Sequence, residues 1–285
     1  MTAFLFPLIS AVAHSADVLI DRFIMTRQRL GHRQFTIVMF LGLYFWSSLS
    51  TILLGGIAAD AFTSRYLWEL LAVIAIASLY NMLYYQGIEK KHVEEFEPFL
   101  VYSPLAIILV AALVYPTERN PIIFFAAVVA ALAVALPYYR HHKVAWDVYQ
   151  WRLAAYVILS AIEAVLIKDL LSVYSPASLY AVRTGLILTA LVAFYTLARP
   201  IPLVVISKTH IKEIGLLAIL PVIQMIAMYY AFEELGIILS MLLFLVYPVF
   251  SYTGARLLLK EKLHWKFIAS GAVVVGSVAF AVANL

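Results

Sequence analysis

Residues 84–102 read YYQGIEKKHVEEFEPFLVY, opening on Tyr84-Tyr85 and closing on Phe99-Leu100-Val101-Tyr102. Residues 229–247 read YYAFEELGIILSMLLFLVY and open and close the same way, on Tyr229-Tyr230 and Phe244-Leu245-Val246-Tyr247. The offset, from 84 to 229, is 145 residues in a chain of 285. Glu89 and Glu234 share that register, and Val18-Leu19-Ile20 returns as Val165-Leu166-Ile167 at an offset of 147. A repeat at half the chain length predicts two related units, residues 1–145 and 146–285.

Hydrophobic residues make up 65% of the chain and charged residues 13%. A water-soluble fold cannot hide that much apolar surface. The apolar residues come in runs of about 20, the length that carries an α-helix across a hydrocarbon core, and the period-two alternation of a membrane barrel is absent. The composition therefore predicts an all-α, multi-pass membrane protein whose first partner is the lipid bilayer. With no cysteine, disulfides, thiolate metal sites and cysteine nucleophiles are excluded. The net charge of +4 comes from short basic clusters between apolar runs, which is loop anchoring and not a nucleic-acid stripe.

Ten spans fit, near 3–22, 35–57, 67–88, 96–115, 121–139, 153–172, 177–198, 213–233, 236–257 and 265–284. The connections are short, so neighbouring helices are expected to pack antiparallel. Five helices per unit is an odd number, so the second unit enters the membrane from the opposite side and the two are inverted repeats, the arrangement in which secondary transporters build a midplane site. Sixteen of the 20 Lys and Arg residues lie in the loops after spans 1, 3, 5, 7 and 9. The other face holds Arg65, Arg119 and Lys168, and Arg183 falls inside span 7. By the positive-inside rule the odd loops are cytoplasmic and both termini are non-cytoplasmic, in a cell (inner) membrane.

The second half resembles the EamA-type drug/metabolite transporter superfamily. The run Ser160 to Lys168, then Ser175-Pro176 and Arg183, looks like that family's entry helix, short turn and arginine-bearing helix; Tyr229 to Pro248, Leu257 to Lys262 and Gly271 to Gly276 are similar to its last three helices. In the first half Glu118 takes the place of Glu261, whereas the tryptophan-glycine pair common in the family's first helix is replaced by His14-Ser15. The resemblance implies a ten-helix, five-plus-five inverted-repeat carrier with a central cavity lined chiefly by spans 1, 3, 4, 6, 8 and 9. It also implies cytoplasmic termini, against the charge count.

Span 1 places His14, Asp17 and Asp21 on one helix face. A charge near the bilayer centre costs about 2.5–3.5 kcal/mol even on the lenient insertion scale, so Asp17 should face a cavity or a partner, while Asp21 and Arg22 lie near the span end, where snorkelling suffices. Glu163 sits mid-span in the second half, one position out of register with Asp17. One acid on the first helix of each half resembles the small multidrug resistance proteins, which exchange protons for cations. Asp17 and Glu163 are accordingly the candidate proton-coupling residues, since burial lets a proton and a cation compete for one carboxylate.

Tyr84, Tyr102, Tyr229 and Tyr247 stand at repeat-equivalent positions, where phenol faces suit an organic cation; Tyr84-Tyr85 and Tyr229-Tyr230 also fit an interfacial aromatic belt. His14, Asn81 and Gln224 complete the candidate substrate-binding set, with interhelical hydrogen bonding as their ordinary use. Arg183 is expected to pair with an acid such as Glu163. Glu94, Glu95 and Glu97 read as solvated surface, with Glu97 as a vestibule candidate, and Pro98, Pro104, Pro221 and Pro248 should bend spans 4, 8 and 9.

His14, Asp17 and Asp21 are weak grounds for a metal, and no metal or other cofactor is expected. His141-His142 lacks the helical spacing of a metal enzyme, and there is no phosphate-binding Walker loop. The predicted function is a secondary active carrier, not an enzyme, that moves a small organic cationic or zwitterionic metabolite or drug-like compound by alternating access, coupled to protons or exchange. The alternatives are an uncoupled facilitator or exporter of amino acids or similar neutral solutes, and a membrane-embedded enzyme centred on His14, Asp17 and Glu163. Ten helices with an internal pseudo-dimer can enclose a cavity as a monomer or weak homodimer.

Overall fold

Lipid supplies no partner for a backbone amide, so an apolar chain of this kind satisfies its own main chain as helix. The computed structural model describes residues 2–28, 32–90, 93–135, 148–198, 208–259 and 265–284. Among them the regular elements are helices: α1 (Leu5–Gln28), α2 (His32–Leu54), α3 (Ser64–Lys90), α4 (Val93–Val114), α5 (Pro121–Ala135), α6 (Val148–Leu170), α7 (Pro176–Ala198), α8 (Lys208–Leu217), α9 (Ile219–Leu235), α10 (Ile237–Phe244), α11 (Tyr247–Leu259) and α12 (Trp265–Ala283). Six stretches are long and apolar enough to cross a membrane: Gln34–Leu54, Ser64–Tyr84, Pro176–Leu197, Ile211–Leu235, Ile237–Gly254 and Trp265–Ala283. Side chains such as Leu53, 84% exposed, and Leu197, 86% exposed, point away from the bundle, where only lipid can cover them.

The expected eighth and ninth spans are each broken in two. α8 gives way to α9 at Ala218, and α10 to α11 at Leu245-Val246. Pro221 is the third residue of α9 and Pro248 the second of α11, positions where the missing N–H has no helical partner to lose. The two prolines thus sit at local irregularities of spans 8 and 9, as expected of kinks: Ala218 keeps a right-handed helical backbone, with its N–H on the Ile214 carbonyl at 3.0 Å and its own carbonyl accepting the Val222 N–H at 3.3 Å. Pro98 and Pro104 behave differently, since the helical backbone of α4 passes through both. At the α8–α9 break a neighbour takes over: the Trp46 indole donates to the Gly215 carbonyl at 2.7 Å. That exchange needs close approach, and a Cβ on Gly42, one turn before Trp46 on α2, would meet the Ala218 Cβ at 2.7 Å.

The packing also departs from the expectation that consecutive helices pair. α2, α3 and α4 touch each other little; α2 packs on α7, α3 and α4 on α6, α1 on α9 and α11, and α5 on α12. Most helices before residue 135 find their main partners after residue 148, although α4 also packs on α5. Short loops fix which ends meet, while side-chain complementarity decides which faces bury. α5 shows the mechanism: Ala126, Ala127, Ala130, Ala131 and Val134 are all at most 2% exposed, giving the smooth face that lets backbones approach closely in a membrane.

Four connections gather at one end of the bundle: the α2–α3 link, the α4–α5 turn, the α6–α7 turn and the α9–α10 break. The Ala58 N–H donates to the Val173 carbonyl at 2.8 Å and the Ser175 N–H to the Gly56 carbonyl at 2.9 Å, while Ser178 Oγ accepts the Gly56 N–H at 2.9 Å. Residues 29–31, 91–92, 136–147, 199–207 and 260–264 lie outside the described residues, and with them His141-His142, Arg199 and Glu261.

Ala130→Leu should overpack the α5–α12 contact at a cost of about 1–3 kcal/mol. Thermal unfolding of the purified protein in detergent should show the loss, whereas Phe125→Leu on the exposed face should leave the midpoint in place.

Candidate functional site

The bundle holds a buried ion pair at its centre. Arg183 on α7 donates from Nε to Glu163 Oε1 on α6 at 2.6 Å, with both side chains less than a tenth exposed. Tyr80 on α3 closes the triangle: its hydroxyl accepts from Arg183 Nη2 at 2.6 Å and donates to Glu163 Oε2 at 2.8 Å. The guanidinium lies 5.9 Å from the Tyr180 ring centroid, one turn earlier on α7. Both carboxylate oxygens and two of the three guanidinium nitrogens thereby find protein partners, which lowers the cost of burying the charges.

Aromatic rings surround the pair. Tyr156 packs against Tyr80 and Tyr84 with centroids 5.5 Å apart in each case, and the Tyr180 and Tyr229 rings meet edge to face at 5.9 Å. The Tyr229 hydroxyl is buried and has no hydrogen-bond partner among the described residues. Ser103 on α4 and Ser160 on α6 share a hydrogen bond at 3.0 Å, continuing the polar face of α6 that runs Tyr156, Ser160, Glu163.

A second cluster forms where α10 breaks into α11. His14 Nδ1 and Gln224 Oε1 are 3.3 Å apart, and the imidazole lies 5.3 Å from the Phe244 ring and 5.0 Å from the Tyr247 ring. Phe244 and Tyr247 stack at 5.1 Å. Ser15 Oγ, one residue on, lies 2.7 Å from the Ala11 carbonyl and 2.8 Å from the Tyr247 carbonyl, one proton serving two acceptors. Asp17 is half-buried one turn further along α1 and interacts electrostatically with Tyr180, so α1 connects the two clusters.

Of the residues singled out in the sequence, Glu163, Tyr84 and Tyr229 fall in the first cluster and His14, Gln224 and Tyr247 in the second. The Glu163–Arg183 salt bridge matches the pairing expected for Arg183. Asn81 turns its amide back to the Ala77 carbonyl at 2.8 Å, a local helix bond. Tyr102 stands apart, 38% exposed, and Tyr230 stacks on Phe6 at 5.2 Å. The side chains of Asp21, Arg22, Tyr85, Glu94, Glu95 and Glu97 lie outside the described residues. Tyr80, Tyr156 and Tyr180 were missed, although spacing marked them: Tyr80 precedes Tyr84 by one turn, Tyr156 precedes Glu163 by two, and Tyr180 precedes Arg183 by three residues.

Residues 151–283 match the model of the EamA-like transporter family. The match spans most of the second half of the chain, which is similar to that family. EamA-like proteins are membrane transporters of small molecules, and the long apolar helices of this chain make it an integral, multi-pass membrane protein. A solved crystal structure of a protein superposes with a TM-score of 0.78 over 99% of this chain and 97% of its own, at 15% identity; that likeness is one of fold. No curated protein sequence matches the chain.

Glu163→Gln should leave Arg183 buried without a counter-charge and cost about 3–5 kcal/mol. The Glu163→Gln, Arg183→Gln double variant should recover much of that loss, and Tyr80→Phe should cost about 1–3 kcal/mol. Thermal unfolding of the unaltered protein, Glu163→Gln, Arg183→Gln and the double variant forms the cycle, with Tyr80→Phe measured beside it; a double variant no more stable than Glu163→Gln would show that the pair does not carry the effect.

Proposed function

We propose that this chain is a secondary active carrier of a small organic cation or zwitterion, working by alternating access between two inverted five-helix units, residues 1–145 and 146–285. The observation that carries the reading is the cluster at the α10–α11 break. His14 and Gln224 supply hydrogen-bonding groups there, Phe244 and Tyr247 supply π faces, and α10 ends against them. Aromatic faces attract cations, a helix C-terminus carries partial negative charge, and broken helices are where carriers hold solutes and coupling ions.

Asp17, one turn from His14 and its aromatic rings, is assigned the coupling proton first because it stands nearest that cluster along α1, while Glu163 is bound by Arg183 and Tyr80. A cation arriving among the aromatic rings displaces the proton, and reprotonation from the other face returns the site. Because Glu163 and Arg183 compensate each other internally, an uncoupled facilitator of amino acids or similar neutral solutes is the second reading. The Lys and Arg distribution supports non-cytoplasmic termini in a cell membrane; a reporter fused after Leu285 that is active only in the cytoplasm would reverse that orientation.

In proteoliposomes, Asp17→Asn should abolish uptake of an organic cation driven by a pH gradient while leaving cation–cation counterflow in place. Counterflow with no response to a pH gradient in the unaltered protein would select the uncoupled reading.

A further inference from the structure

Glu118, in the α4–α5 turn, ties together three separate parts of the bundle end. One carboxylate oxygen pairs with Lys168 in the last turn of α6. The other accepts the Ile238 N–H in the first turn of α10 at 3.1 Å. Between them sits Gly236, the α9–α10 break, with φ of +79°. A Cβ there would lie 2.7 Å from the Glu118 carboxyl carbon, so glycine is needed both for the left-handed backbone and for the carboxylate's seat.

Neighbouring contacts hold the same seam. Lys168 Nζ lies 4.9 Å from the Tyr115 ring centroid, and the Tyr115 hydroxyl donates to Asp169 at 2.7 Å. Directly beneath the break, Ser240 is fully buried and bonds the Gly236 carbonyl at 2.5 Å.

We propose that Glu118 is a gating residue of transport: its carboxylate joins the α4–α5 turn, the end of α6 and the start of α10, and its release opens the path on this face. The proposal rests on the alternating-access reading, since only a carrier that opens on both faces needs this seam to part. Partial exposure of Glu118 and Lys168, 12% and 23% for the side chains, suits a contact that water can enter and exchange. The Glu163–Arg183 pair, deeper and closed by Tyr80, lacks that access.

The chain has no cysteine, so an introduced thiol reports without background. Ser240→Cys should react slowly with a thiol reagent in detergent-solubilised protein, where both faces are accessible. Adding Glu118→Gln should raise the rate about tenfold, a shift of about 1.4 kcal/mol in the opening equilibrium. Lys168→Gln, which spares the Ile238 contact, should raise it in the same direction and by less. Ser270→Cys, buried on α12 toward the opposite end, should react at the same rate in both backgrounds. Unchanged labelling at position 240 in both variants overturns the proposal, as does equal acceleration at 240 and 270, which would mean general loosening. If Glu118→Gln fails to fold, the Lys168→Gln comparison decides alone. The readout needs no substrate, so a failed cation-uptake experiment leaves it standing.

Discussion

A charge in the interior of a membrane bundle must bring its own counter-charge, because neither lipid nor bulk water will provide one. The Glu163–Arg183 pair meets that demand across α6 and α7, and Tyr80 extends it to α3. Three helices from both halves of the chain are thus held by one closed set of hydrogen bonds. A placement that separated Glu163 from Arg183 would leave both charges without this partner, at several kcal/mol. Hydrophobic contact cannot select among packings in lipid as it does in water, so buried polar groups and close-packed small residues carry the specificity. This explains why α2, α3 and α4 turn from their sequence neighbours toward α6 and α7.

The same economy governs the helix breaks. Interrupting a helix in the membrane frees backbone groups, and each interruption is met by a specific neighbour. Trp46 reaches the Gly215 carbonyl at the α8–α9 break, and Glu118 reaches the Ile238 N–H at the α9–α10 break. Ser15 reaches the Tyr247 carbonyl beside the α10–α11 break. None of these donors or acceptors lies on the helix it serves. A break therefore also makes a joint: moving the neighbour removes the bond and exposes the freed group. Two joints flank α10, one at Glu118 and one beside His14, so this helix of eight residues is held at both ends by residues of the first half.

Much of this was legible in the residues. Composition and run length gave helices in a membrane, and the pairing of Arg183 with Glu163 followed from the rule that a buried charge seeks its opposite. The repeat drew attention to Tyr84, Tyr229 and Tyr247, which lie in or beside the two clusters. What stayed hidden depends on rotation about helix axes. Tyr102 matches Tyr247 in the repeat, yet it is 38% exposed whereas Tyr247 is 9% exposed; sequence register fixes depth in the membrane, not which way a face turns. Asn81 stood out because it is polar, and its amide nitrogen reaches the Ala77 carbonyl one turn away, a local bond that sequence alone does not separate from an interhelical one. Pro221 and Pro248 were read as kinks, and each stands beside a local irregularity of its span, at Ala218 and at Leu245-Val246.

The mismatch between the two halves has a physical meaning within the proposed mechanism. Asp17 and Glu163 occupy first helices of related units but stand one position out of register, about 100° around a helix. That rotation takes Glu163 to Arg183 and Tyr80, where its charge is compensated inside the protein. Asp17 instead follows His14, whose partners are Gln224 and two aromatic rings. An acid locked to an arginine serves to hold helices together, since releasing it would strand two charges. On the proposed mechanism, the charge that changes during the cycle is therefore sought on the His14 side of the bundle, where helix packing does not depend on the Glu163–Arg183 pair.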